Sequence, residues 1–308
     1  MRTLAVVNPA SSNGRTARRW PQLRPLLEAA VGPVDEVFTT GPGEGETLAA
    51  KGLADGYEAI ASVGGDGTHS EVTNGFFKNL SGGSAPGEGA CFIPITSGTG
   101  GDFRKTFGVD PGPEAAIAHL AGGAPRSIDV GVYSYVDREG RPGRRFFLNI
   151  LSLGLGGLVD EKVNTTSKAL GGKTSFFLGS LRALMAYRNV NIRLTLDGGE
   201  LLERRTVTTA LANGRFFGGG MMIAPDADPA DGLLDVVVIG DLSKGAMSML
   251  SGKIYKGLHV KHPAVEVFRA RHVRVESDDQ ALLDVDGEPL GRCPIDVTIL
   301  PGALKVWV

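Results

Sequence analysis

The sequence has only two cysteines, Cys91 and Cys293, and their separation offers neither a Cys-x-x-Cys pair nor metal-ligand spacing. A disulfide scaffold is therefore not expected. We expect a reducing, cytoplasmic setting instead. Long hydrophobic runs are also missing. The first apolar stretch is short, and the most apolar segment, TSFFLGSLRALMAY, contains Arg182. These segments predict neither a signal peptide nor a membrane-spanning helix.

An excess of charge of either sign is missing too. The net charge is −2 and 42% of the residues are hydrophobic, which is the composition of a globular protein and not of a general nucleic-acid binder. A length of 308 residues exceeds what one core usually organises, so two domains are expected. The sequence does not decide between a monomer and a homodimer.

The pattern of apolar runs along the chain changes near residue 127. Residues 1–127 alternate short apolar runs with helix-like stretches, which predicts βαβ units and a parallel sheet. Residues 128–297 contain many β-like runs separated by turns, which is typical of a mostly antiparallel sandwich or barrel. The predicted fold is thus α/β followed by mostly-β, and residues 298–308 are expected to complete the first domain. Helices are predicted at 16–30, 45–54, 68–80 and 113–121, and as insertions near 174–187 and 243–256.

The segment ASVGGDGTHSEVTNG places three glycines and an aspartate between a predicted strand and a predicted helix. Gly64, Gly65 and Gly67 allow a sharp turn and a close approach of the backbone to a ligand. Such a turn can also exist without any ligand. Asp66 favours a ligand, because a carboxylate in a phosphate-binding loop would repel phosphate unless a divalent metal lay between them. The combination indicates phosphoryl transfer.

The helix after this loop has a predicted start. Thr68 and Glu71 have the spacing of a capping box, so Thr68 is expected to cap a helix whose Val72 and Phe76 face inward. The N–H groups and positive dipole end of that helix would point at the loop, which suits an anion.

These motifs together resemble the diacylglycerol kinase catalytic family. GGDGT is followed by Glu71 and by Asn74-Gly75, NP lies upstream at 8–9, and SGTGGDF lies downstream at 97–103. The family includes sphingosine and ceramide kinases and bacterial soluble lipid kinases, and its nucleotide domain is similar to those of phosphofructokinase and NAD kinase. GGDGT alone also suits NAD kinases, whereas GTGxDF with a late DGE points to lipid kinases.

The resemblance implies that ATP and Mg²⁺ bind between an N-terminal nucleotide domain and a C-terminal β-sandwich. Thr39 closes the run EVFTT, where a hydroxyl could meet a ligand or simply end a strand. The residues implied around the phosphates and sugar are Asn8, Thr39, Gly64, Gly65, Asp66, Gly67, Thr68 and Thr99.

Two acidic turns occur in the second region. DADPADGLLDV contains Asp228, Asp231 and Leu233, to which the resemblance gives a structural magnesium site. By sequence alone it could equally be an Asp-Gly turn before a strand. LLDVDGEPL contains Asp286 and Glu288.

An isolated Asp-Gly-Glu is usually a hairpin tip. In the resembling family, these positions hold the catalytic base for the lipid hydroxyl. Asp66 joins Asp286 and Glu288 in the predicted catalytic set, and which of the last two carboxylates acts as the base is left open.

The predicted function is ATP- and magnesium-dependent transfer of the γ-phosphoryl group to a lipid hydroxyl, foremost that of diacylglycerol. Gly101, Arg104-Lys105, His69 and Ser70 depart from the family's common residues, which leaves the substrate open. A kinase for a sphingoid base, another polyol or NAD is the nearest alternative. A catalytically silent nucleotide-binding regulator is the alternative from another class.

The remaining prediction concerns the membrane on which the lipid substrate lies. Residues 244–262 interleave four lysines with Met247, Met249, Leu250, Ile254, Tyr255 and Leu258. This pattern is typical of a segment that lies on an anionic bilayer, and also of an ordinary packing helix with a solvated lysine face. Peripheral association with a membrane is therefore expected, and nucleic acid is not expected as a partner.

Overall fold

The computed structural model describes residues 1–78, 89–97, 101–137, 139–155, 188–279, 281–289 and 291–308. None of the helices within these ranges is long and apolar enough to cross a membrane. The predicted helix near 174–187 lies outside the described residues.

The first region is a four-stranded parallel sheet with helices, as predicted. Its strands follow the order β4-β3-β1-β2, and every neighbouring pair is parallel. The apolar runs form these strands because they are buried throughout β1, β3 and β4. The elements are β1 (Thr3–Val7), α1 (Ser11–Val31), β2 (Val34–Phe38), α2 (Glu44–Ala54), β3 (Ala59–Gly64), α3 (Asp66–Phe76), β4 (Cys91–Thr96), α4 (Asp102–Thr106) and α5 (Pro113–Leu120).

Helix α1 buries one face against this sheet. Trp20, Leu23 and Leu27 are at most 3% exposed and recur at spacings of three and four. Pro21 and Pro25 lie inside the helix. Ser12, Asn13 and Gly14 near its start have left-handed backbone angles. The regular part of α1 therefore begins close to the predicted residue 16.

The second region is an antiparallel β-sandwich-like unit, which confirms the expectation of a mostly-β second part. Within the described residues, all pairings among its own strands are antiparallel. Its elements are β5 (Arg126–Val136), β6 (Pro142–Phe147), β7 (Ile150–Gly154), β8 (Val190–Leu196), β9 (Leu201–Ala212), β10 (Phe216–Phe217), β11 (Met221–Met222), β12 (Leu234–Gly240), α6 (Lys244–Ile254), a 3-10 helix (Leu258–Lys261), β13 (Val265–Ala270), β14 (His272–Glu276), β15 (Leu283–Val285) and β16 (Arg292–Val306).

Strand β16 joins the two regions. It pairs antiparallel with β5 and β14, and its end pairs parallel with β4 through Lys305 and Val306. Lys305 and Val306 therefore extend the parallel sheet. The domain boundaries at 127 and 297 stay predictions, since β5 and β16 each run across one of them.

Candidate active site

The carboxyl ends of the parallel strands meet at one edge of the sheet, where open α/β sheets usually bind ligands. Asn8 follows β1, Thr39 follows β2, Gly64 ends β3, and Ser97 follows β4. Backbone hydrogen bonds of 2.8 to 2.9 Å tie Asn8, Thr39 and Ser97 to neighbouring strands. The structure thus brings Asn8, Thr39 and the glycine loop to the same edge. Thr99 lies outside the described residues.

The three glycines of the loop have different surroundings. A Cβ on Gly64 would collide with the Thr68 side chain, and a Cβ on Gly67 would lie 2.5 Å from Glu288 Oε1. A Cβ on Gly65 would meet nothing within 4 Å, so the backbone is open there. The Thr68 side chain therefore favours glycine at 64, Glu288 approaches the backbone at Gly67, and Gly65 leaves space beside the loop.

The predicted capping role of Thr68 is wrong. Helix α3 begins two residues earlier, at Asp66, with Gly65 at its N-cap and no side-chain cap. Thr68 lies inside the first turn, where its Oγ1 accepts a hydrogen bond from Asn8 Nδ2 at 3.0 Å. The extended conformation of Gly65 lets the helix start directly after the strand.

Glu71 is not the second half of a capping box either. Its carboxylate accepts hydrogen bonds from the backbone N–H groups of Gly43 at 2.7 Å and Gly45 at 2.9 Å. Glu71 thereby fixes the loop between β2 and α2, close to Thr39. Val72 and Phe76 are buried, as predicted.

Asp66 is the first residue of α3. Its carboxylate accepts the Gly101 N–H, at 2.9 Å to one oxygen and 3.2 Å to the other. Burial raises the pKa of Asp66, and the nearby Asp102 raises it further, although the Gly101 N–H, Lys105 and Arg104 lower it. Asp66 is thus held between the glycine loop and α4, next to a second carboxylate.

Asp102 lies in the motif SGTGGDF, but no role was predicted for it. It is buried and accepts hydrogen bonds from Lys105 Nζ at 2.5 Å and from the Gly219 N–H at 2.7 Å. Asp102 therefore ties α4 to the β10–β11 hairpin of the second region.

Asp286 lies in the turn after β15, with a left-handed φ of 51°. Its carboxylate accepts three backbone N–H groups, from Leu148 at 2.9 Å, Asn149 at 3.1 Å and Ile150 at 2.9 Å. Burial raises the pKa of Asp286 to about 7, against the lowering effect of these donors. The hydrogen-bonding capacity of this carboxylate is largely used in holding the turn against the segment before β7.

Glu288 stands at the exposed tip of the same turn, with one carboxylate oxygen against Gly67 of the glycine loop. In the described part of the chain, no donor is hydrogen-bonded to this carboxylate. Burial of the carboxylate against its neighbours raises the pKa of Glu288, and Glu71 and Asp284 raise it further, whereas Arg145 lowers it. The structure thus brings Glu288 and the loop of Asp66 together across the two regions.

The other acidic turn is arranged differently. Asp228 Oδ1 accepts the Ala230 N–H at 3.1 Å, and Asp231 Oδ1 accepts the Leu233 N–H at 2.9 Å. The second oxygen of Asp231 is paired with Arg269. No group of three or more His, Cys, Asp or Glu side chains that could hold a metal is found within the described ranges. The metal role of Asp228, Asp231 and Leu233 stays a prediction.

Family models match both regions of the chain. The diacylglycerol kinase catalytic domain matches residues 2–133, and the YegS C-terminal NAD kinase beta sandwich-like domain matches residues 149–308. The chain belongs to the diacylglycerol kinase catalytic-domain family. The resemblance given by the motifs is thereby confirmed.

Several relatives match this chain along most of their length. The chain is 28% identical to the diacylglycerol kinase of Mycobacterium tuberculosis, covering 98% of this chain and 93% of the relative. It is 29% identical to a Pseudomonas putida protein named "Probable lipid kinase YegS-like", covering 89% and 84%. A crystal structure from Bacillus anthracis str. Sterne has the same fold, with a TM-score of 0.79, 23% identity and coverage of 99% and 94%.

Two departures from the family's common residues have structural reasons. Gly101 has a φ of 74°, and a Cβ built on it would lie 2.7 Å from Thr96 Cγ2, so the packing here favours glycine. His69 is fully enclosed between Ser62 Oγ at 2.8 Å and Thr96 Oγ1 at 3.1 Å, and burial lowers its pKa to about 4. His69 is therefore a neutral residue that packs α3 against the sheet, and it does not face a substrate.

Proposed function

We propose that this protein is an ATP-dependent lipid kinase that transfers the γ-phosphoryl group to the primary hydroxyl of diacylglycerol. Membership of the diacylglycerol kinase family supports a lipid kinase. The relative from Mycobacterium tuberculosis, which is named a diacylglycerol kinase, supports diacylglycerol as the lipid. The observation that carries the proposal is the contact between Glu288 and Gly67, because it sets an exposed carboxylate at the start of a helix suited to phosphate.

In this proposal Glu288 is the general base. The lipid hydroxyl gives its proton to the Glu288 carboxylate as its oxygen bonds to the γ-phosphorus, and the bond to the bridging oxygen breaks to release ADP. Glu288 suits this role better than Asp286, because the Asp286 carboxylate already accepts three backbone N–H groups. Asp286 then acts as a positioning residue that fixes the turn carrying Glu288.

The phosphates of ATP would lie beside Gly65, where the backbone is open. The first turn of α3 has N–H groups without intrahelical acceptors, and these together with the helix dipole stabilise negative charge. Asn8 and Thr68 support this turn through their mutual hydrogen bond of 3.0 Å. Glu71 holds the loop after Thr39 in place through its two backbone contacts.

The donor set near the loop fits Mg²⁺. Mg²⁺ is commonly held by one or two carboxylates with substrate phosphates and waters, so it needs no cluster of three protein ligands. Asp66 would hold it, because burial and the neighbouring Asp102 raise the pKa of Asp66 and a cation beside that carboxylate would offset the cost of ionising it. When bound, the metal would neutralise charge on the phosphate oxygens.

The test is transfer of labelled γ-phosphate from ATP to separate acceptors: diacylglycerol, sphingosine, NAD and glycerol. We expect the label on diacylglycerol, and we expect Asp66→Asn to lose most of the transfer while its melting temperature changes little. Label on another acceptor would identify that acceptor, and not diacylglycerol, as the substrate. ATP binding without transfer to any alcohol would indicate a regulator, and near-normal turnover in Asp66→Asn would remove Asp66 from the catalytic set.

A further inference from the structure

Helix α6 and the residues after it have two faces with different surroundings. Met247, Leu250 and Ile254 are at most 8% exposed and pack against the second sheet. Met249, in contrast, is 83% exposed, Tyr255 is 53% exposed and Leu258 is 46% exposed. The packing of the helix is therefore complete without these three large apolar side chains, which remain in contact with solvent.

Exposed lysines accompany these apolar residues. Lys253 lies four positions after Met249, which places the two on the same side of α6, and Lys256 and Lys261 follow in the next turns. These three lysines are exposed and form no ion pair with the described part of the chain. The sequence has no acidic residue between Asp241 and Glu266, although the whole chain has a net charge of −2. The surface is thus locally cationic on a slightly acidic protein.

The same surface connects to the candidate active site through the β10–β11 hairpin. On one side, Gly257 approaches Met222, with 3.0 Å between a Cβ built on the glycine and the Met222 sulfur. Nearby, the fully buried His259 bonds through Nε2 to the Ile223 carbonyl at 2.9 Å. On the other side, the Gly219 N–H donates to Asp102 at 2.7 Å. The hairpin thus spans the distance between α4 and the 3-10 helix.

The hairpin itself is apolar and only partly covered. Its paired residues, Phe216 with Met222 and Phe217 with Met221, are all half-buried. Asn149 Nδ2 donates to the Phe216 carbonyl at 2.7 Å, and the Asn149 N–H donates to Asp286. A partly exposed apolar element therefore lies between the exposed lysines and the turn that carries Glu288.

We propose that Met249, Lys253, Tyr255, Lys256, Leu258 and Lys261 form a docking face for the surface of an anionic bilayer. The lysines attract anionic headgroups, and the three apolar side chains insert at the level of the headgroups. The face lies next to the apolar hairpin, so docking brings that hairpin to the membrane from which a lipid substrate would enter. The link to substrate entry rests on the proposed lipid kinase activity, whereas binding to the bilayer does not.

The test is flotation of the full chain with vesicles, in the absence of ATP. Vesicles of phosphatidylcholine alone are compared with vesicles that also contain phosphatidylglycerol, at low and high salt. We expect salt-sensitive binding to the anionic vesicles only. The variant Lys253→Gln/Lys256→Gln/Lys261→Gln should bind roughly a hundredfold more weakly at low salt, since each lysine near an anionic surface contributes about a fivefold effect.

A matched control separates location from net charge. The variant Lys51→Gln/Arg274→Gln/Lys305→Gln removes the same charge from exposed positions on α2, β14 and β16. It should bind vesicles nearly as well as the unmodified protein. A third variant, Met249→Ser/Leu258→Ser, should weaken binding about tenfold while all lysines remain, because it removes the inserting side chains. Unchanged melting temperatures establish that each variant is folded.

Three results would overturn the proposal. The two triple variants could bind anionic vesicles equally well, which would assign the lysines to ordinary surface. The Met249→Ser/Leu258→Ser variant could convert a dimer to a monomer in light scattering, which would assign the face to a second copy of the chain. The unmodified protein could fail to bind either vesicle. A failure of kinase activity with normal, lysine-dependent vesicle binding would instead reject the proposed function and leave the docking face standing.

Discussion

The turns at 226–233 and 284–288 look alike in sequence, since each places carboxylates around an Asp-Gly step before or after a strand. Their contacts differ. In the first turn, Asp228 and Asp231 bond to N–H groups of the same turn, and Asp231 also pairs with Arg269. In the second turn, Asp286 bonds to three N–H groups of another segment, and Glu288 extends to the glycine loop.

The difference shows that the chemical role of an acidic turn depends on which segment of the chain the topology places opposite its carboxylates. The hydrogen bonds and the ion pair given above for the carboxylates of the first turn lie within the turn and with an arginine of β13. The second is anchored by one carboxylate, which leaves the next one without a hydrogen-bond donor among the described residues and directed at the start of α3. Anchoring by Asp286 is therefore what allows Glu288 to be both exposed and well positioned.

The largest effect is expected for Glu288→Gln, which keeps the shape of the side chain and removes its ability to accept a proton. Loss of a general base lowers kcat by roughly a thousandfold. The measurement is phosphoryl transfer to diacylglycerol, together with the dissociation constant of ATP, which should change little. Glu200→Gln, an exposed glutamate elsewhere on the surface, is the control and should be fully active. A Glu288→Gln enzyme with kcat within a factor of about ten of the original would favour Asp286 as the base.

Asp286→Asn should chiefly reduce stability. Asparagine tolerates the left-handed φ of 51°, but its amide has one acceptor oxygen and an NH₂ group that meets the remaining N–H donors. We expect a loss of about 1 to 3 kcal/mol in the free energy of unfolding, measured in urea at a pH below the raised pKa of this aspartate. Above that pKa the buried, ionised carboxylate itself lowers the stability of the folded protein, so the loss on replacement should be smaller there.

Asp197 offers a close control for that change. It also has a left-handed φ, of 50°, and accepts two backbone N–H groups, but it is exposed. Asp197→Asn should cost less than about 1 kcal/mol, because solvent can satisfy the groups that it leaves. Equal losses at the two positions would contradict a special anchoring role for Asp286.

Much of the first region could be predicted from sequence because its signals are local. The glycine loop, the alternating strands and the inward Val72 and Phe76 all depend on neighbours within a few residues. The capping box at Thr68 was predicted wrongly for the same reason. Its spacing is local, but the partners of Thr68 and Glu71 are Asn8, Gly43 and Gly45, which come from the loop after β1 and the start of α2.

The contacts around Glu288 could not be derived from local patterns. Gly67 and Glu288 are far apart in the chain, and so are Asp66 and Gly101. The motif resemblance pointed to Glu288, but it did not predict that Asp286 would be saturated by backbone donors. Nor did it identify Arg145, which lies in β6 and affects Glu288 only because β6 packs beside α3.

Arg145→Gln should move the pH dependence of turnover. A base must be deprotonated to act, so kcat falls as the pH decreases through the pKa of Glu288, which its surroundings raise above the usual value. Arg145 lowers that pKa, so its removal should shift the acidic limb to higher pH. At high pH the two enzymes should be equally fast. Arg144→Gln, an exposed neighbour on the same strand, should leave the limb unchanged.

The smallest effect is expected for Asp231→Ala. It removes an exposed ion pair with Arg269 and one hydrogen bond within the turn, which together contribute about 1 kcal/mol or less. The ion pair alone would give the same loss with Mg²⁺ and with a chelator, whereas the predicted metal site would give a larger loss with Mg²⁺ and a weaker magnesium dependence of phosphoryl transfer. Thermal unfolding in both conditions, with Arg269→Gln and the double variant, measures the ion pair by itself. A loss that appears only with Mg²⁺ would mean that the ion displaces Arg269, and it would establish the turn at Asp228, Asp231 and Leu233 as a metal site.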